Sequence, residues 1–117
     1  MQIQINTDHN VEGHEALADH IRDVVKSSLR SVSDHITRVE VHLTDESGHK
    51  DTQNDKRCMM EARLEGRQPI AVTHHAATLH QAFDGAADKL SRLLESTLGR
   101  LRDQQNRARG QHSGQPQ

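Results

Sequence analysis

A chain of 117 residues, 32 % apolar, with one Phe and no Trp or Tyr, is sized for one domain whose core must be built from Leu, Val, Ile, Ala and Met. Its formal net charge of −2 excludes a broadly basic nucleic-acid binder, so any RNA-binding surface must be local. A single cysteine, Cys58, excludes an intrachain disulfide framework; the opening MQIQINTDHN lacks a secretory pattern, and no apolar run nears the roughly 20 residues that span a bilayer, so a soluble cytoplasmic protein is expected.

Residues 2–6 alternate, with Ile3 and Ile5 on one side, which predicts a short half-buried strand followed by a loop over 8–13. Residues 14–32 predict a helix. Leu17, Ile21, Val24, Val25, Leu29 and Val32 recur at helical spacing, and Glu12, Glu15 and Asp19 lie near its start, where the helix dipole favours acids. Residues 37–44 alternate again, with Val39, Val41 and Leu43 inward and Arg38, Glu40 and His42 outward. The polar stretch 45–55 reads as a hairpin loop. A third strand follows over 56–65, with Cys58, Met60, Ala62 and Leu64 inward, then a turn over Gly66 to Pro69 and a short fourth strand marked by Ile70 and Val72 and closed by His74 and His75.

Thr78-Leu79-His80-Gln81 fits a capping box that opens a second helix. Its apolar stripe runs through Leu79, Phe83, Ala86, Ala87, Leu90, Leu94, Leu98 and Leu101 and stops at Asp103. Residues 1–103 are thus expected to form the domain, and the polar, Gln- and Gly-rich 104–117 a disordered tail. The order β-α-β-β-β-α, with one apolar face on every element, predicts an α+β fold in which both helices pack side by side, roughly parallel, on one face of a four-stranded sheet. The expected core is Ile3, Ile5, Leu17, Ile21, Val25, Val39, Val41, Met60, Leu64, Phe83, Leu90 and Leu94.

The informative charges lie on the helices. Arg22, Lys26 and Arg30 are spaced i, i+4, i+8; Lys89, Arg92 and Arg100 share a face of the second helix, and Arg102, Arg107 and Arg109 extend it. RNA binding needs such clusters because phosphate contacts supply most of the affinity. The same spacing also fits ordinary solvated helix faces with Asp19, Asp23, Asp88 and Glu95 as ion-pair partners. Cys58, His74, His75 and His80 match no established zinc spacing, and neither a metal nor a cofactor is expected. No phosphate loop, G-x-S-x-G or H-E-x-x-H occurs, and Cys58 falls on the core side of its strand, so enzymatic activity is not expected.

Several segments carry a family likeness: Gln2-Ile3-Gln4-Ile5, Val11-Glu12 through Glu15-Ala16-Leu17, Asp34-His35-Ile36-Thr37-Arg38-Val39, and above all Ala82-Phe83-Asp84 followed by Asp88-Lys89-Leu90-Ser91-Arg92-Leu93. Over residues 2–102 the chain resembles the ribosome hibernation-promoting factor family, also called the ribosome-associated inhibitor or sigma-54 modulation family. The resemblance is to the short form, without the C-terminal dimerisation domain of the long form. It implies a stress or stationary-phase translation inhibitor that binds the small ribosomal subunit and its ribosomal RNA near the decoding region, with neither a membrane nor a small-molecule substrate as partner. It assigns the RNA contacts to the helices, here Arg22, Lys26, Arg30, Lys89, Arg92, Arg100 and Arg102. The chain departs from the family pattern at Ala18, Val24 and Ser27, where basic residues are common, and at His80, where an aromatic often stands. Two other functions compete with this expectation: a stress-response protein-interaction module that has lost tight ribosome binding, and a metal- or redox-responsive regulator using Cys58 and the histidines.

Overall fold

A computed structural model describes residues 1–8, 14–46 and 55–112; of residue 14 and of residues 102, 103 and 105–112 it describes the backbone. The elements are β1 (Gln2–Thr7), α1 (His14–Ser28), a 3₁₀ segment (Arg30–His35), β2 (Ile36–Asp45), β3 (Lys56–Leu64), β4 (Ile70–Ala76) and α2 (Leu79–His112). The expected loops at 8–13 and 45–55 lie largely outside the described residues, as do residues 113–117 of the expected tail.

The sheet runs β1-β2-β3-β4. β1 pairs parallel with β2, which requires a crossover, and α1 supplies it. The other two pairings are antiparallel. Register sets Ile3 beside Val39, Ile5 beside Val41, Val41 beside Met60 and Leu43 beside Cys58. One sheet face therefore collects the apolar side chains.

The register of β2 shifts between Ile36 and Arg38. Ile36 and Val39 are both buried although three positions apart, which a strand of period two allows only across such an irregularity. The β3–β4 connection turns through Gly66 at φ 71°, a left-handed value that glycine adopts without a Cβ penalty.

Both helices cover the apolar face, as the patterning predicts, and they run parallel. The His20 ring, midway along α1, meets His80 and Phe83 near the start of α2, and the Ser31 hydroxyl, in the 3₁₀ segment that follows α1, donates to Glu95 Oε2 at 2.9 Å further along α2. Ile21, Val25 and Leu29 from the first crossover and Ala82, Phe83, Ala86, Ala87, Leu90 and Leu94 from α2 are buried against Val39, Val41, Leu43, Cys58, Met60, Ala62 and Leu64. Ile3, Ile5 and Leu17, expected in the core, are only partly buried, since β1 is an edge strand and Leu17 sits early in α1.

Two boundaries differ from the sequence reading by more than one residue, the ends of the two helices. The first helix ends at Ser28 rather than at residue 32. Serines at 27, 28, 31 and 33 compete with helical bonding; Ser33 Oγ donates to the Arg30 carbonyl at 3.2 Å, and Val32 N–H bonds Leu29 O at 3.1 Å in the 3₁₀ manner. That spacing of three keeps Leu29 and Val32 both buried. β4 runs to Ala76, with His74 and His75 near its end as expected, because β3 offers a paired partner as far as Lys56. α2 opens as expected, with Gln81 N–H donating to Thr78 Oγ1 at 3.1 Å. It then remains helical to His112 instead of ending at Asp103. Residues 104–109 are Gln, Asn, Arg and Ala, most of them good helix formers, so an already nucleated helix propagates without needing a core face. From Leu94, the last buried residue of α2 among those whose side chains are described, the helix rises roughly 27 Å to His112.

Candidate nucleic-acid interface

The helical layer and the open sheet face differ in how their cations are used. On the sheet face, Arg38 and Arg63 come within 3.3 and 3.4 Å of Glu40 Oε2, His42 lies 3.5 Å from Oε1, and Arg38 also bonds Gln4. Arg63 further meets Glu61 at 3.4 Å. At one end of the sheet, Lys56 sits between Asp55 (2.9 Å) and Asp45 (3.1 Å), and those hydrogen bonds hold its ammonium above the usual lysine pKa range. These charges are largely satisfied within the face.

On the helical side, the sequence-predicted residues fall into three places. Turning 100° per residue, α1 faces α2 with His20, so Arg22 lies about 160° and Lys26 about 120° around the axis from that seam. Both therefore sit on the outer flank of α1. Arg22 is half-exposed and 3.4 Å from Asp19, while Lys26 is exposed with no ion pair among the described residues.

Arg30 leaves the α1 spacing altogether, because it opens the 3₁₀ segment. It precedes Ser31, whose hydroxyl bonds Glu95, and Arg92 lies three residues before Glu95. Arg30 and Arg92 thus lie at about the same level of the helical layer. Arg92 is 3.2 Å from Asp88, whereas Arg30 is exposed with no ion pair among the described residues.

Lys89 reaches the opposite flank of α2. Its Nζ donates to the Thr73 carbonyl at 3.1 Å, on the edge strand β4. Arg100 comes about 20° round from Lys89 on the same flank and is exposed, also without an ion pair among the described residues. The side chain of Arg102 lies outside the described residues. Parallel packing therefore does not draw the α1 and α2 cations into one stripe. Among the described residues of the helical layer, Lys26, Arg30 and Arg100 are the exposed cations with neither an ion pair nor a side-chain hydrogen bond, and a strand of nucleic acid would have to wrap that layer to reach all three.

The possible metal residues separate in the same way. Cys58 and His74 are register partners on the core-facing side, His75 points to the open face and His80 packs on α2 against His20. Among the described residues no three potential ligands come together. Burial pushes the Cys58 thiol up to about 12, so it is a protonated, shielded group at neutral pH. The sequence reading missed the contact between His20 and His80, and nothing at a separation of 60 residues signals it locally.

No helix among the described residues is long and apolar enough to cross a membrane. The chain matches the family described as sigma 54 modulation protein / S30EA ribosomal protein over residues 3–102. No curated protein matches it. Solved structures with the same fold include the N-terminal domain of Protein Y from Thermus thermophilus, at 23 % identity and a TM-score of 0.66, covering 83 % of this chain and 99 % of that one. A ribosomal subunit interface protein from Coxiella burnetii aligns at 18 % identity and a TM-score of 0.64, covering 85 % of this chain and 99 % of its own.

Proposed function

This chain belongs to the sigma 54 modulation protein / S30EA ribosomal protein family, and from that membership we propose that it is a ribosome hibernation factor, binding small-subunit ribosomal RNA near the decoding region and blocking translation during stress or stationary phase. The family match over residues 3–102 carries the reading, and the subunit-interface protein that shares the fold supports it. The RNA contacts are assigned to Lys26, Arg30 and Arg100 first, with Arg22, Lys89, Arg92 and Arg102 beside them. The role is binding, with no catalytic step and no cofactor.

Cosedimentation with purified small subunits across a salt series tests this. Wild-type protein comigrates at low salt and is released as salt rises. Replacing Lys26 and Arg30 together by Ala weakens binding and flattens the log–log salt slope by about 0.7–0.9 for each phosphate no longer neutralised. The control is Arg38 with Arg63 to Ala on the open sheet face, with melting curves alongside because Glu40 then loses both guanidiniums. If the control weakens binding as much as the helical pair, the helical side is not the interface.

A second reading rests on the Arg22–Asp19 and Arg92–Asp88 pairs and the net charge of −2, which reduce the positive field of the helical layer. On that reading the chain is a divergent member acting as a stress-response protein-interaction module. Wild-type protein that stays in the supernatant at low salt supports it.

A further inference from the structure

Two imidazoles from different helices meet over the lone phenylalanine. The His20 and His80 ring centroids are 5.0 Å apart with planes inclined at 59°. Each also packs on Phe83, at 5.5 Å from His20 and 5.1 Å from His80. Phe83 is fully buried while both histidines are exposed, so the imidazoles roof the core at the α1–α2 seam and keep ring surface in water. Neither makes a hydrogen bond or ion pair among the described residues.

We propose that the His20–His80 pair is a stacking platform for an unpaired nucleobase of the bound RNA, an inference that rests on the ribosome-binding reading above. The pair lies on the helical side with Lys26, Arg30 and Arg92. The only Phe is buried and Trp and Tyr are absent, so any exposed ring that receives a base in this protein must be an imidazole. The platform is preorganised, because Phe83 fixes both rings from beneath, and this lowers the ordering cost of binding.

The geometry also selects the mode. A base inserted between the rings would need about 7 Å, twice an ordinary carbon–carbon contact distance, and the rings stand closer than that. The base therefore stacks on the outer face. Exposed carboxylates flank the pair: Asp23 lies three residues after His20 and Asp84 four after His80, each on the same side of its helix. They disfavour a phosphate at this point while leaving a neutral base unopposed.

The test compares wild-type protein with two double variants, His20→Leu/His80→Leu and His20→Phe/His80→Phe, in binding to purified small subunits over a salt series. Leucines still cover Phe83 but offer no π face; phenylalanines keep the face and remove the ionisable ring. The leucine variant should bind about tenfold more weakly with an unchanged salt slope, as removal of one stacked base requires, and the phenylalanine variant should retain wild-type affinity. Melting temperatures of all three, measured first, separate a binding defect from a folding defect. Equal affinity for the leucine variant and wild type overturns the platform, as does a flattened salt slope, which marks a phosphate contact. Wild-type protein that fails to bind subunits at any salt overturns the ribosome-binding reading itself, and the platform with it.

Discussion

Gly85 sits in α2 directly under the His74 ring of β4. A Cβ built there would lie 2.2 Å from Cδ2, 2.3 Å from Nε2 and 2.8 Å from Cγ of that ring. Gly85→Ala therefore brings two opposing effects. Alanine gains about 1 kcal/mol over glycine inside a helix. Against this, three ring atoms lie inside any tolerable contact distance, so α2 and β4 must separate or the imidazole must leave its place, and overpacking of this kind costs roughly 1–3 kcal/mol. The overlap involves most of a rigid ring rather than the tip of a flexible chain, which places the cost in the upper part of that range. The net expectation is destabilisation by about 1–2 kcal/mol in urea unfolding at neutral pH. In a His74→Ala background the obstruction is gone, and Gly85→Ala should then stabilise by up to about 1 kcal/mol. This reversal of sign is the critical result. Stabilisation by Gly85→Ala alone, or equal destabilisation in both backgrounds, would refute the packing of His74 on Gly85 and with it the spacing of α2 above β4.

Phe83→Ala removes the largest fully buried side chain and should cost about 3–5 kcal/mol in the same assay, while Leu93→Ala, at an exposed position on α2, should cost under about 0.5 kcal/mol. Cys58 favours the protonated form in the folded state, with a pKa of about 12 against about 8.5 for a free thiol. Its contribution to stability is thus intact below about pH 8.5 and falls as pH rises toward 12, by up to about 1.4 kcal/mol per unit. Iodoacetamide should accordingly label the native protein at about pH 8 far more slowly than the urea-unfolded chain, and equal rates would contradict the burial of Cys58. Truncation after Asp103 should shift the melting temperature by no more than a degree or two, because the residues removed are polar and extend no apolar stripe. A large drop would mean that the distal helix docks on the domain.

Much of this architecture is legible in the chain because it depends on short-range periodicity. Val39-Val41-Leu43 and Cys58-Met60-Ala62 alternate, so each strand has one apolar side whatever its neighbours. Ile21 and Val25, or Phe83, Leu90 and Leu94, fall on one side of any helix that contains them, and Thr78 marks a helix start by its own hydroxyl. The family likeness in Asp88-Lys89-Leu90-Ser91-Arg92-Leu93 is local in the same sense. What the tertiary structure decided depends on how each helix is rotated about its axis once packed, which no spacing within one helix specifies. Arg22 and Lys26 turn to the outer flank because Ile21 and Val25 claim the sheet and His20 the seam. Lys89 turns to β4 because Phe83 and Leu90 claim the core. The serines from 27 to 33 loosen the helix, but the 3₁₀ segment forms where Leu29, Val32 and Ile36 are all buried on the way into β2, and that moves Arg30 off the α1 spacing. His74 over Gly85 and His20 against His80 join residues 11 and 60 positions apart; the first meeting exists only once α2 has settled on β4, and the second only once both helices share the sheet.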